Sequence, residues 1–561
     1  MNPEKYRKQY RLPPAPDFSW VTKECPDACP VWCSVDLRDG NQALANPMSI
    51  MEKLSFFDML VKMGFKEIEV GFPAASDTEF RFVRALIDEK RIPDDVTIQV
   101  LTQARESIIR RTAEAIAGAP RAIVHMYSAS SPVFRKYVFG KSRDETVAMV
   151  REGAALIADI FKDDTNVRFE FSPECFPETE PDFALRVCSA ALDEWRALKS
   201  RRNIINLPVT VEYSMPHIFA SQVNYLSKNL PDRDDVVLSV HAHNDRGCAV
   251  AATEMALLAG AERVEGTLFG NGERAGNADL ITLALNMYAL GIDPGLDLSH
   301  VAETSAVYEK MTGMQIPERM PYTGKLTFTA FSGSHQDAIA KGMRHLEASP
   351  GEKWCVPYLP IDPTDIGRES GDRAIRINSQ SGRGGIGYIL EHDFGLHVPR
   401  DMQFAFSRIV KHVSDERMHE LTGAQVYELF EDEYVNVSYP LALEHVSFAW
   451  NESGSVTAKI ELTRNGEPFS FTGDGTSRFA AAAGGIRRAL GIDFTVFTHL
   501  EHALELGVEA RVVTYIGIES EMYGSLFGAG THTDIIISSI RALLSALNRA
   551  LNGKDRKEKE G

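Results

Sequence analysis

The chain reads as an α/β protein: a (β/α)8 TIM barrel, helical linker subdomains, and a C-terminal α+β domain. Three observations predict this. From residue 33 onward, short apolar runs alternate with helix-length amphipathic stretches, the pattern of βα units on a parallel sheet. The runs recur over about 260 residues, which suits a closed barrel better than an open doubly wound sheet. Side chains of ligand and acid–base type crowd the C-terminal ends of the runs, where such a barrel keeps its active site.

The strand-like runs are residues 33–37, 67–71, 97–102, 122–128, 167–174, 208–214, 237–244 and 263–270. Helix candidates between them include 49–62, 104–117, 144–161, 183–198 and 247–259. The divisions expected are an N-terminal extension (1–32), the barrel (33–325), helical linkers (326–432, including 402–413 and 424–430) and a C-terminal α+β domain (433–561). In the last of these, period-two strands flank an Asn465–Gly466 hairpin turn, and a helix follows at 479–490. A second set follows: a strand at 510–520, a glycine-rich turn, and a helix at 533–551. Segment 362–387, rich in Gly, Arg and Ser, reads as a mobile stretch or a cover over the site.

Composition narrows the function classes. At 561 residues, 44% hydrophobic and 25% charged, the chain is that of a soluble multidomain protein. A net charge of -18 argues against a nucleic-acid binder, which needs clustered Lys and Arg. The start of the chain is polar and proline-rich, and no apolar run reaches membrane-spanning length, so neither a signal peptide nor a membrane partner is expected. Seven cysteines form no disulfide framework and imply a reducing, cytoplasmic setting.

The chemistry centres on VLSVHAHN (237–244). His241 and His243, two residues apart on a strand, face one side. Asp39, after the first strand, adds a carboxylate, and Asn277 can add a carbonyl oxygen. Such mixed N/O ligation suits Zn, Mn, Co or Mg. Arg38 is a candidate to stabilise an oxyanion beside that cation. GNGERAGN (270–277), after the eighth strand, is placed to offer backbone N–H groups to a phosphate or nucleotide, making Gly270, Asn271 and Gly272 candidate cofactor-binding residues.

Seven motifs together resemble the 2-isopropylmalate synthases, long form, within the metal-dependent Claisen-condensing barrel enzymes that include homocitrate and citramalate synthases. They are DLRDGNQAL (36–44), EFSPE (170–174), HAHNDRG (241–247), LFGNGERAGN (268–277), FSGSHQDAI (331–339), VPYLPIDP (356–363) and NSQSGRGG (378–385). The resemblance implies an acyltransferase that condenses acetyl-CoA with 2-oxoisovalerate and hydrolyses the thioester, the first committed step of leucine biosynthesis. It implies a divalent metal (Mg, Mn or Zn) on Asp39, His241, His243 and Asn277. Thr210 would hold the substrate carboxylate, with His125 and Ser172 lining the pocket. Arg38, Glu174, His335 and Tyr358 would be catalytic, the last two reaching in from beyond the barrel, His335 as base. The C-terminal unit would be a regulatory domain that pairs two subunits in a homodimer and senses leucine, the alternative being a dimerisation module with no ligand. One departure bears on that: where the family has a Gly-x-Gly-Asn-Gly-Pro turn, this chain has Gly473-Asp474-Gly475-Thr476-Ser477-Arg478. Gly524, Gly528 and Gly530 still leave room for an amino acid to approach the backbone.

The alternatives are the same chemistry on pyruvate or 2-oxoglutarate, as in citramalate or homocitrate synthases, and a non-catalytic metabolite sensor. A 2-oxoglutarate enzyme needs a cation for the distal carboxylate, and the strand ends offer none evident. A sensor is expected to have lost one of Asp39, His241, His243 or His335, and all are present.

Overall fold

A computed structural model describes residues 1–368, 383–417, 421–452, 454–505, 507 and 509–553. The chain forms two compact units, one of Met1–Thr327 with a short return segment from Pro363, the other of Phe328–Asp362 and the C-terminal part.

In the first unit eight parallel strands close on themselves in chain order: β1 (Val31–Ser34), β2 (Glu67–Gly71), β3 (Thr97–Gln103), β4 (Ala122–Ala129), β5 (Val167–Glu174), β6 (Ile204–Val209), β7 (Val237–Ala242) and β8 (Arg263–Gly266). Closure is visible at Cys33, which pairs with Glu67 on one side and Glu265 on the other. Eight helices follow the strands: α1 (Ile50–Lys62), α2 (Asp77–Asp88), α3 (Glu106–Ile116), α4 (Arg143–Ile160), α5 (Pro181–Glu194), α6 (Pro216–Asn229), α7 (Ala249–Leu258) and α8 (Leu280–Ala289). Local chemistry sets their starts. Ser49 with Glu52 and Ser142 with Glu145 form reciprocal capping boxes at α1 and α4, satisfying N–H groups that the first turn leaves unpaired.

Several strands stop earlier than the apolar runs suggest. β1 ends at Ser34, and Asp36–Gly40 winds into a single π-helical turn. Val35 N–H still reaches Gly266 O (2.8 Å), but Asp36 turns its carboxylate onto Leu268 N–H and so takes the chain out of the sheet. β8 ends at Gly266 because residues 278–280 pass over it; a Cβ there would lie 2.5 Å from Ala278 O. β6 ends at Val209, so Thr210 and Glu212 lie just beyond the strand.

The second unit follows α9 (Val301–Thr312). It begins with α10 (Gly333–Ala348), α11 (Arg383–Phe394), α12 (Arg400–Arg417) and α13 (Gly423–Tyr434). Two antiparallel three-stranded sheets follow. The first holds β9 (Leu441–Trp450), β10 (Val456–Arg464) and β11 (Glu467–Gly475), with α14 (Arg478–Leu490) behind it. The second holds β12 (Thr495–Ala503), β13 (Val512–Ser520) and β14 (Gly524–His532), followed by α15 (Ile535–Leu551). β13 is buried on both faces. Val513 and Tyr515 pack with α11–α13, while Ile516 and Ile518 join β10, α14 and α15.

Two strands escape the pattern reading. β12 is exposed along most of its length and shows no apolar alternation. β14 replaces the expected glycine-rich turn. Its Gly528 and Gly530 lie against α15, where a Cβ would come within 2.3 Å of Ala542 O and 2.2 Å of Ser538 O respectively. These glycines are strand residues chosen for close helix packing. Most of segment 362–387, with part of NSQSGRGG, lies outside the described residues. Among the described residues, no helix is long and apolar enough to cross a membrane.

Candidate active site

The site is built at the C-terminal mouth of the barrel. Asp36 anchors its first piece: Ser34 Oγ donates to Asp36 Oδ2 (2.7 Å), and Leu268 N–H donates to both carboxylate oxygens (3.1 Å). Burial pushes the Asp36 carboxyl up to about 7. The turn it holds carries Arg38 and Asp39. Arg38 Nε pairs with Glu69, and Arg38 Nη1 donates to Asp39 Oδ1 (2.7 Å).

β7 supplies His241, and His243 follows on the same side just past the strand end. The three side chains meet: Asp39 Oδ2 lies 3.7 Å from His241 Nε2 and 3.9 Å from His243 Nε2. Asn277 completes the group, its Oδ1 3.1 Å from His241 Nε2 and its Nδ2 donating to Asp39 Oδ2 (2.7 Å). Burial alone would raise the Asp39 carboxyl. The Arg38 guanidinium and His241 outweigh it and hold Asp39 well below the usual carboxylate range. Burial also works against charge on His241, but the neighbouring Asp39 and Glu265 carboxylates push it up to about 9. His243 goes the other way, to about 4, through burial and the neighbouring His241 charge. The surroundings thus favour positive charge on His241 and disfavour it on His243, and a cation binding there competes with the His241 proton.

The glycine-rich loop after β8 packs tightly against this centre. Gly276 (φ +97°) has Gly270 O where a Cβ would sit, 2.0 Å away, and a Cβ on Gly272 would lie 2.3 Å from Asn277 Nδ2. Gly276 and Asn277 spend their N–H groups inside the loop, on Glu273 O and Gly270 O (both 2.9 Å). The small residues thus deliver Asn277 to the centre. The loop's other side, with Gly270, Asn271 and Gly272, borders a separate cavity of about 600 Å³ whose far wall is formed by Tyr308 and Met314–Pro317.

A smaller cavity of about 210 Å³ opens onto the Asp39–His241–His243 group and is lined by Arg38, His125, Ser172, Glu174 and Thr210, among others. His125 is fixed at both nitrogens, to Glu69 Oε1 (2.8 Å) and Ser172 Oγ (2.7 Å). Thr210 Oγ1 accepts from Cys175 N–H (2.8 Å), which fixes its hydroxyl just past the end of β6. Burial raises the Glu174 carboxyl, against the pull of Arg38. Glu212, also at this end, is instead a backbone clamp, accepting from the N–H groups of Arg246 and Cys248.

His335 and Tyr358 lie in the second unit. They stack on each other, ring centroids 4.0 Å apart at 23°, both exposed, with Tyr358 in the left-handed region (φ +66°).

Pattern reading missed the buried layer beneath the cavity. Glu265 Oε2 accepts from His241 Nδ1 (2.9 Å) and from Asn206 Nδ2 (3.0 Å). Arg263 reaches Glu67 (2.6 Å), Glu265 (3.0 Å) and Gln99 (2.7 Å). Glu170, fully buried, lies 3.4 Å from both His125 Nε2 and Arg263 Nη1, and burial drives its pKa well up. The available signal was charge at alternate positions (67 and 69, 263 and 265) of otherwise apolar runs, which places it inside the barrel.

Residues 30–307 match the family description HMGL-like, 325–391 match Alpha-isopropylmalate synthase, post-catalytic domain-like, and 420–551 match LeuA allosteric (dimerisation) domain. Fold and site thus define an HMGL-like barrel that carries a post-catalytic and an allosteric module. The curated 2-isopropylmalate synthase of Helicobacter hepaticus (strain ATCC 51449 / 3B1) is 49% identical over 559 residues, covering 98% of this chain and 100% of the relative. That of Desulfitobacterium hafniense (strain Y51) is 48% identical, covering 98% of each. The chain belongs to the 2-isopropylmalate synthase family, a family of enzymes.

Proposed function

We propose that this protein condenses acetyl-CoA with 2-oxoisovalerate and hydrolyses the thioester to release CoA and 2-isopropylmalate, transferring an acyl group that becomes alkyl. The observation that carries the reading is the convergence of Asp39, His241, His243 and Asn277 at the mouth of a cavity sized for a small acid. The donor set fits a divalent cation: a carboxylate held ionised, two imidazoles and an amide oxygen, with the Asp39, His241 and His243 ligand atoms all within 4.8 Å of one another. A cation held there supplies Lewis-acid polarisation of a substrate carbonyl.

The chain's own residues do the rest. Arg38 sets a buried positive charge beside the carbonyl oxygen, where negative charge develops. Thr210 donates its O–H to the substrate carboxylate, and His125 and Ser172 wall the cavity. His335 takes a proton from the acetyl methyl, with Tyr358 stacked to hold the ring, and Glu174 stands near the thioester. The resulting carbon nucleophile forms the new C–C bond, and water then cleaves the thioester. Gly270, Asn271 and Gly272 border the cavity assigned to acetyl-CoA. The domain limits are 33–325 for the catalytic barrel, 326–432 for the linkers and 433–561 for a regulatory unit that pairs two chains and takes leucine. The protein is assigned to the cytoplasm.

A thiol-release assay with acetyl-CoA and a panel of 2-oxo acids, before and after chelation, tests this. Release with 2-oxoisovalerate that stops on chelation is expected; release with pyruvate alone moves the reading to citramalate formation, and no release with any acid removes it.

A further inference from the structure

We propose that His345, Glu352 and Cys355 form a second cation site, selective for a thiophilic divalent ion of the zinc class, on the surface of the second unit. The three donor atoms lie within 4.8 Å of one another, and His345 Nε2 sits 2.9 Å from Glu352 Oε2. Ligands bound to zinc at about 2.0–2.3 Å in a tetrahedron stand roughly 3.3–3.8 Å apart. Sub-ångström side-chain shifts therefore convert the present cluster into a three-ligand site with a fourth position for water. Imidazole, thiolate and carboxylate together favour Zn²⁺ or Co²⁺ over Mg²⁺ or Ca²⁺, which prefer all-oxygen shells.

The backbone holds this cluster in place. His345 lies on α10, one turn after Gly342 and on the same face. At Gly342 the loop folds back onto the helix so closely that a Cβ would come within 2.7 Å of Pro357 Cδ and 3.2 Å of Val356 Cα. Trp354 Nε1 donates to Leu359 O (2.8 Å), and Glu352 N–H to Ser349 O (3.2 Å), closing the loop on itself. Contact at Gly342 thus sets Cys355 beside His345. All three side chains are exposed, so an ion reaches them without any opening of the fold. On binding, the Cys355 thiol gives its proton to solvent, and the hydrogen bond between His345 and Glu352 is exchanged for two coordinate bonds. The bound ion then ties α10, which carries His335, to the loop that carries Tyr358.

This site differs from the barrel centre in owning a sulfur ligand, which makes it separately visible. Metal-stripped full-length protein titrated with Co²⁺ is expected to develop a thiolate-to-cobalt charge-transfer band in the near ultraviolet, levelling off once the barrel centre and the sulfur site are both filled. Asp39→Asn should keep that band, Cys355→Ser should abolish it, and Glu352→Gln should weaken the underlying affinity by on the order of tenfold. Zn²⁺ should displace the cobalt signal. No band in the unaltered protein, a band that survives Cys355→Ser, or unchanged affinity in Glu352→Gln overturns the site. Because the band needs no substrate turnover, it stands or falls apart from the proposed condensation.

Discussion

At the scale of single residues, the donor set depends on a carboxylate that touches no substrate. Glu265 holds His241 Nδ1 and so fixes which nitrogen faces Asp39. His241→Ala is expected to abolish turnover while circular dichroism shows an intact fold, and near-normal rates would remove it from the ligand set. Glu265→Gln should leave the fold intact and weaken cation affinity by roughly 10–100-fold, read by competition with a chromophoric chelator. A pH dependence follows from Asp36, whose carboxyl rises from 3.8 to about 7 on burial. A group that binds its proton more tightly when folded stabilises fully below the unfolded value, and that stability is lost as pH climbs to the folded value. Thermal stability should therefore fall between about pH 4 and pH 7, and Asp36→Asn should flatten part of that slope; an unchanged slope would assign it to other groups. Asp39, His241 and His243 were legible in the sequence because they are ligand types at strand ends. Glu265 and Asn206 were not, since a buried polar residue inside a strand looks the same whether it touches a neighbour or nothing.

At the scale of elements, glycines separate the legible from the hidden. The barrel's βα rhythm shows in the sequence because buried parallel strands are continuous apolar runs. β14 does not, because Gly524, Gly528 and Gly530 imitate a turn. The structure gives them a packing reason, and a contrast follows. Gly528→Ala drives a methyl into α15 and should cost about 1–3 kcal/mol in chemical denaturation. Gly484→Ala, inside α14 with its nearest neighbour 3.6 Å away, should be neutral or gain up to about 1 kcal/mol. Equal effects at both positions would refute the packing account. The altered turn Gly473–Arg478 also has a structural role: Gly473 and Gly475 lie against α14, and Ser477 Oγ accepts from Ala480 N–H (3.2 Å) to cap that helix.

At the scale of the whole molecule, the donor cluster and the proposed base fall in separate units. The donor cluster and its cavity belong entirely to the first, while His335, Tyr358 and both antiparallel sheets belong to the second. His335→Ala is expected to lower kcat by about 10²–10⁴-fold with cation affinity unchanged; a parallel loss of both would recast it as structural. Leucine at millimolar concentration should inhibit the assay, and no inhibition would leave the C-terminal unit as a pairing surface alone. The change of period near Val435 signals where the sheets begin, while the two units divide after Thr327; the sequence does not show that the helical linkers share a core with β13, since that requires a strand buried on both sides.

Barrel closure has a consequence for synthesis of the protein. Asp39 leaves the ribosome some two hundred residues ahead of His241 and Asn277, and the edge that unites them exists only once β8 has docked beside β1. A nascent chain halted before that point cannot bring Asp39 beside His241 and Asn277, so the proposed cation centre comes into being only when the whole barrel has been made.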